Sequence, residues 1–155
     1  MKVLGFRGNP KAPRYAVLSY DGTTFTLENA SSDNKLTVPA SIGEDADSER
    51  LSWVYAEIVR ILEAHPDITK VLIKTNEFTQ SDTKPKRKSA YIDAAAILAA
   101  THKNVAVHTL AYSQMGATSK TTKDLAETRV GKTDKYWDAG MADAINVAWW
   151  GARHP

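Results

Sequence analysis

Two acids close to the C-terminus, Asp138 and Asp143 in the stretch DAGMADAINVAWW, are the first residues in this chain whose types suggest chemistry. Clustered carboxylates hold hard divalent cations such as Mg²⁺, and two such ions activate water and stabilise the leaving oxygen in phosphodiester cleavage. Glu77 and Asp21 are further acids available to such a set. The spacing argues for a simpler role as well. Five residues turn a helix by about 500°, so the two side chains point roughly 140° apart. They share a metal only if Asp138 sits outside the regular helix. In the other reading Asp138 is the N-cap, accepting backbone N–H bonds, and Asp143 is an acid in the second turn.

Two basic sets come next. Lys84, Lys86, Arg87 and Lys88 crowd the stretch TKPKRKSAY, and Lys120, Lys123, Arg129, Lys132 and Lys135 flank TTKDLAETRV. Such side chains gain affinity for DNA or RNA by neutralising phosphates and releasing counterions. The plainer reading is a solvated loop and a solubilising helix face. GATSKTT lacks the GxxxxGK[ST] spacing of a nucleotide-hydrolysing loop, so Thr121 or Thr122 is read as a helix cap. A helix start bearing Lys120 and Lys123 still suits a phosphate. His65, His102, His108 and His154 show no metal-ligand spacing, and no nucleophile elbow is present.

The elements that must position these residues can be read from periodicity. KVLGF, RYAVLSYDG and TTFTLENAS are β-rich, with KLTVPA continuing the signal, so the first 40 residues predict an antiparallel meander. Leu51, Val54, Tyr55, Ile58 and Leu62 recur at helical spacing up to Pro66, with Asp47 or Ser48 as the N-cap. TKVLIKT predicts a buried strand and NEFTQSDTKPKRK a loop. A helix over 91–101, a strand at NVAVHTL, a short helix at TTKDLAETRV and a last helix from Ala139 to Trp150, stopped by Gly151, complete the chain. At 155 residues this is one α/β domain with enough length to bury a core. The absence of cysteine excludes disulfides and thiolate metal sites. No apolar run approaches the roughly 20 residues of a membrane helix, and four residues between Lys2 and Arg7 are too few for a signal-peptide core, which predicts a cytoplasmic protein.

This element order resembles the ribonuclease H-like fold, and in detail its RuvC-like branch, the Holliday-junction resolvase group. The resemblance spans residues 1–150 and rests on KVLGFRGNP, VLIKTNEF, MADAINVAWW and the stretch LAYSQMGATSKTTKDLAE. It implies a mixed five-stranded sheet, three strands antiparallel and then two parallel, flanked by helices. It also implies an Asp in the first strand, a Glu late in the fourth and two acids three apart in the last helix. This chain departs at each place: Arg7 stands at the first position, Lys74 or Thr75 at the second, and Gly140 three residues before Asp143. Cations there repel Mg²⁺ where ligands should attract it.

Three functions stay open. The first is a nucleic-acid-binding or interaction domain without catalysis or cofactor, its vestigial site filled by an ion pair of Asp143 with Arg7 or Lys74. The second is a Mg²⁺- or Mn²⁺-dependent nuclease using Asp143, Asp138 and Glu77. The third is a protein–protein scaffold. Ala94, Ala95, Ala96, Ala99 and Ala100 make the helix over 91–101 either a tight packer on its own sheet or a homodimer contact.

Overall fold

The computed structural model describes residues 1–155. Strands β1 (Lys2–Arg7), β2 (Arg14–Tyr20) and β3 (Phe25–Leu27) form the meander. They are followed by α1 (Asp47–Ala64), β4 (Ile68–Lys74), α2 (Lys84–His102) and β5 (Ala106–Leu110). Helices α3 (Tyr112–Met115), α4 (Thr122–Arg129) and α5 (Ala139–Arg153) complete the chain. The sheet order is β3-β2-β1-β4-β5. β1 pairs antiparallel with β2 and parallel with β4, and β5 adds in parallel. The mixed sheet is therefore the one the element order predicts.

Strand alternation assigns every side chain to a layer. Leu4, Phe6, Tyr15, Val17, Val71 and Ile73 pack with Val54, Ile58, Ile92 and Ala96 of α1 and α2. On the other face Val3, Leu18 and Leu72 meet Val147 and Ala148, and Ala16 meets Ala144 and Ile145, all on α5. Fully burying each large aliphatic side chain contributes about 1.5–3 kcal/mol. α5 lies directly against β1 because position 5 is glycine. A Cβ at Gly5 would stand 1.9 Å from the Ala144 carbonyl oxygen and 2.8 Å from the Ala148 Cβ.

Several boundaries differ from those that periodicity predicts. KLTVPA forms only an isolated bridge, Lys35 with Arg14. Leu36 and Val38 are buried and donate to Pro13 and Lys11 carbonyls, but Pro13 has no N–H to return a bond, so no ladder develops. The helix predicted over 91–101 starts seven residues earlier, at Lys84. Thr83 caps it by accepting the Lys86 N–H, and a proline stands at its first turn. The cap of α1 is Ala46 rather than Asp47 or Ser48, and α3 is a single turn with no periodicity to announce it. Thr121 is at the start of α4 without capping it by its side chain. Gly151 does not stop α5, which continues to Arg153. It is the place where Leu72 packs on the helix backbone, since a Cβ there would be 2.3 Å from a Leu72 methyl carbon.

Candidate functional site

The register places three cations on one rung. Arg7 of β1 is the partner of Arg14 on β2 and of Lys74 on β4. All three ends lie together because β1 and β4 finish at the same level as β2 begins. Like charges side by side on neighbouring strands destabilise a sheet, so each needs its own counter-charge. Each has one. Arg14 pairs with Asp138 at 2.9 Å, Arg7 Nε with Asp143 Oδ2 at 3.2 Å, and Lys74 with Glu77 at 3.2 Å.

Helix α5 supplies two of these acids. Asp138 is its N-cap, with Oδ1 accepting the Met141 N–H at 2.8 Å. Asp143 is buried on the face turned to the sheet, 2% exposed, and accepts bonds from the Thr122 hydroxyl at 2.7 Å and the Tyr112 hydroxyl at 3.1 Å as well as Arg7. Burial pushes its carboxyl above the usual range, and Thr122, Arg7 and Tyr112 only partly offset this. Arg7 is further fixed by donating to the Lys74 carbonyl at 3.2 Å and to Asn76 Oδ1 at 3.0 Å. Lys74 is the most enclosed cation. Its ammonium sits 3.9 Å from the centre of the Tyr112 ring, and burial with the nearby Arg7 charge lowers its pKa. Burial pushes the Glu77 carboxyl up, but the Tyr112 N–H at 2.7 Å and the Lys74 ammonium hold it below its ordinary value. Over the rung opens a cleft of about 340 Å³, lined by Arg7, Gly8, Arg14, Tyr112, Asp138 and Gly140 among others. Gly140 faces it directly, since a Cβ there would be 3.5 Å from Arg14 Cγ and 4.0 Å from Arg7 Cγ.

The structure thus brings together Arg7, Lys74, Gly140, Asp138, Asp143 and Glu77. Asp21 lies elsewhere: β2 runs antiparallel to β1, so its far end sits beside Met1, and the Asp21 carboxylate closes a turn by accepting the Thr23 and Thr24 N–H groups. The two basic sets also separate. Lys84 pairs with Asp45, Lys88 with Asp45 and Asp47, and Arg87 with Asp82, which leaves Lys86 without a carboxylate. Arg129 lies over Trp149, which also receives Arg153. Lys120, Lys123, Lys132 and Lys135 are exposed and form no salt bridge. Ala95, Ala96, Ala99 and Ala100 are buried against the sheet and α1, so the outward stripe of α2 is Ala90, Tyr91, Ala94, Ile97 and Leu98.

Four participants were not apparent from the sequence. Tyr112 and Thr122 hold Asp143, Arg14 completes the rung, and Asp93 of α2 lies behind it. Asp93 is 5% exposed and its Oδ1 has no hydrogen-bond partner. Gly8 permits this approach, since a Cβ there would be 2.1 Å from that oxygen. Burial raises the Asp93 carboxyl to about 7, against the pull of Arg7 and Lys74. The sign follows: the folded state binds this proton more tightly than the unfolded chain, so stability is lost as pH rises from the ordinary carboxylate range through about 7. Asp93→Asn is therefore expected to melt above the wild type at about pH 8, with the gap closing toward about pH 4, as thermal melts followed by circular dichroism would register.

No family model matches the sequence, and no curated protein does. Among solved structures, RuvC of Thermus thermophilus in complex with a Holliday junction substrate superposes with a TM-score of 0.75, covering 96% of this chain and 90% of that one at 16% identity. The chain has the RuvC-like ribonuclease H fold. A further Thermus thermophilus RuvC structure gives a TM-score of 0.76, with 96% and 92% covered at 16% identity. The yeast mitochondrial Holliday junction resolvase gives 0.57, with 97% and 77% covered at 13% identity. On the RuvC-like sheet the cation rung stands at the level of the α5 N-terminus, and no helix of the chain is long and apolar enough to cross a membrane.

Proposed function

We propose that this chain binds nucleic acid on its RuvC-like fold and does not cleave it, in the cytoplasm. The observation that carries this reading is the rung Arg14–Arg7–Lys74, each cation neutralised by a carboxylate that a metal would otherwise use. Mg²⁺ or Mn²⁺ requires several oxygen ligands converging on one point. Here no three of the Asp, Glu and His side chains converge in that way, and Asp143 already accepts from Arg7, Thr122 and Tyr112. The donor set does not fit the ion, so the nuclease alternative built on Asp143, Asp138 and Glu77 is the weaker one. In this reading Arg7, Lys74 and Gly140 mark a vestigial catalytic site.

The contact surface we assign is the set of lysines without salt bridges, Lys120, Lys123, Lys132 and Lys135, with Lys86 of α2. The remaining basic residues of α2 (Lys84, Arg87 and Lys88) join only by giving up their acidic partners. Phe78, 99% exposed just beyond Glu77, offers a ring on which an unpaired base can stack. The outward stripe of α2, with Tyr91, Ile97 and Leu98 exposed, suits a two-fold homodimer contact.

Fluorescence anisotropy with labelled four-way-junction, duplex and single-stranded oligonucleotides tests this. Binding is expected to weaken steeply with salt, and Lys120→Glu with Lys123→Glu should reduce both affinity and salt slope, by about one to two in slope. Absence of binding at low salt would favour the protein–protein scaffold instead.

A further inference from the structure

We infer that Tyr136 is a nucleobase-stacking residue beside the cleft, an assignment that rests on the nucleic-acid reading above. Its backbone is left-handed, with φ of 57°, a conformation that bulky residues rarely adopt. Such strain persists only where the surroundings over-determine it. Here they do so without burying the ring. Asp134 N–H donates to the Ala30 carbonyl at 2.9 Å, and the Ser31 hydroxyl bonds the Asp134 carboxylate. Asn34 Nδ2 and Thr133 Oγ1 both donate to the Lys135 carbonyl, at 3.4 and 2.6 Å. Two residues on, Asp138 is locked between Arg14 and the α5 backbone. The segment is clamped from both ends, yet Tyr136 remains 51% exposed.

Two cations lie over the ring rather than at its edge. Lys35 Nζ lies 3.9 Å from its centroid and the Arg14 guanidinium carbon 5.9 Å away. Arg14 Nε is buried and has no partner. Lys132 and Lys135, exposed and without salt bridges, come from the same segment. A half-exposed ring that already holds Lys35 over its π-system suits an unstacked base on its remaining exposed surface, with the flanking phosphates meeting Lys35, Lys132 and Lys135. The position is two residues before Asp138, the N-cap of α5, and its ring is 5.9 Å from the Arg14 guanidinium carbon. Asp138 and Arg14 both line the cleft.

Anisotropy titrations of a fluorescein-labelled single-stranded oligonucleotide at several salt concentrations test the assignment. Tyr136→Ala is expected to weaken binding about tenfold with an unchanged salt slope, since stacking releases no counterions. Tyr136→Trp should bind as the wild type does. Tyr136→Gly should melt higher than the wild type, because glycine accepts the left-handed backbone, while binding as weakly as the alanine variant. Undiminished binding by Tyr136→Ala, or a glycine variant that melts lower, would overturn the stacking role and leave nucleic-acid binding itself standing. A wild type that binds no oligonucleotide would overturn the functional reading beneath it.

Discussion

Asp143→Asn is expected to destabilise the protein by about 1–3 kcal/mol, the scale of leaving buried hydrogen-bonding groups without their partner. Relief of the buried charge offsets part of the broken pairing with the partly exposed Arg7. Asparagine keeps the shape but loses the charge and turns one acceptor into a donor. Thr122 Oγ1 and Arg7 Nε both donate to the two carboxylate oxygens, so the amide must present its N–H₂ to one of them. Arg7 then stands without a counter-charge beside Lys74, whose side chain is 1% exposed. The raised pKa of Asp143 means that burying its charge costs more than its partners return. A hydrophobic replacement of both members should therefore be tolerated better than either single change. Arg7→Leu with Asp143→Leu is expected to lose less than the sum of the single variants, a coupling of about 1–3 kcal/mol by denaturant unfolding. Additive losses would show that the two side chains do not act as a pair.

Gly5→Ala is expected to cost more than about 3 kcal/mol, beyond the usual penalty of overpacking a core. Ordinary overpacking is relieved when a side chain changes rotamer. Here the added methyl would sit 1.9 Å from the Ala144 carbonyl oxygen, a backbone atom in the middle of α5. Relief requires the whole helix to lift from β1, and that also separates Asp143 from Arg7. Gly140→Ala in the first turn of the same helix is the control. Its Cβ would meet only ordinary contacts, the nearest at 3.4 Å, so it should be neutral or stabilising by up to about 1 kcal/mol. Thermal melts of the two variants decide the matter, at roughly 2–4 °C per kcal/mol for a chain of this size.

The fold was legible because its signals are local. Near-continuous β-rich apolar runs marked β1, β2 and β4, and helical spacing from Leu51 to Leu62 marked α1. Boundaries failed where polar chemistry did the work. The first two turns of α2 are a run of lysine and arginine that reads as loop, although Thr83 and Pro85 start a helix there. KLTVPA carried the right burial but ran beside a proline. At the site, the departures at Arg7, Lys74 and Gly140 were visible in the sequence, while the rung they form was not. Arg14 joins it only through strand register, which no spacing along the chain reveals. Tyr112 and Thr122 reach Asp143 from separate helices, across 31 and 21 residues of sequence. Asp93 comes from a third helix to meet Gly8, far away in the chain. Tyr136 gave no sign, because a left-handed backbone at a non-glycine residue is set by the clamps around it.

The most direct measurement is an electrophoretic assay of the purified wild-type chain with four-way-junction, duplex and single-stranded substrates, in Mg²⁺ and separately in Mn²⁺. The expected result is a shifted complex with intact strands under every condition, because the Arg14–Arg7–Lys74 rung occupies its carboxylates. Metal-dependent strand cleavage by the wild type, lost in Asp138→Asn as well as in Asp143→Asn, would contradict it and return those acids to catalysis.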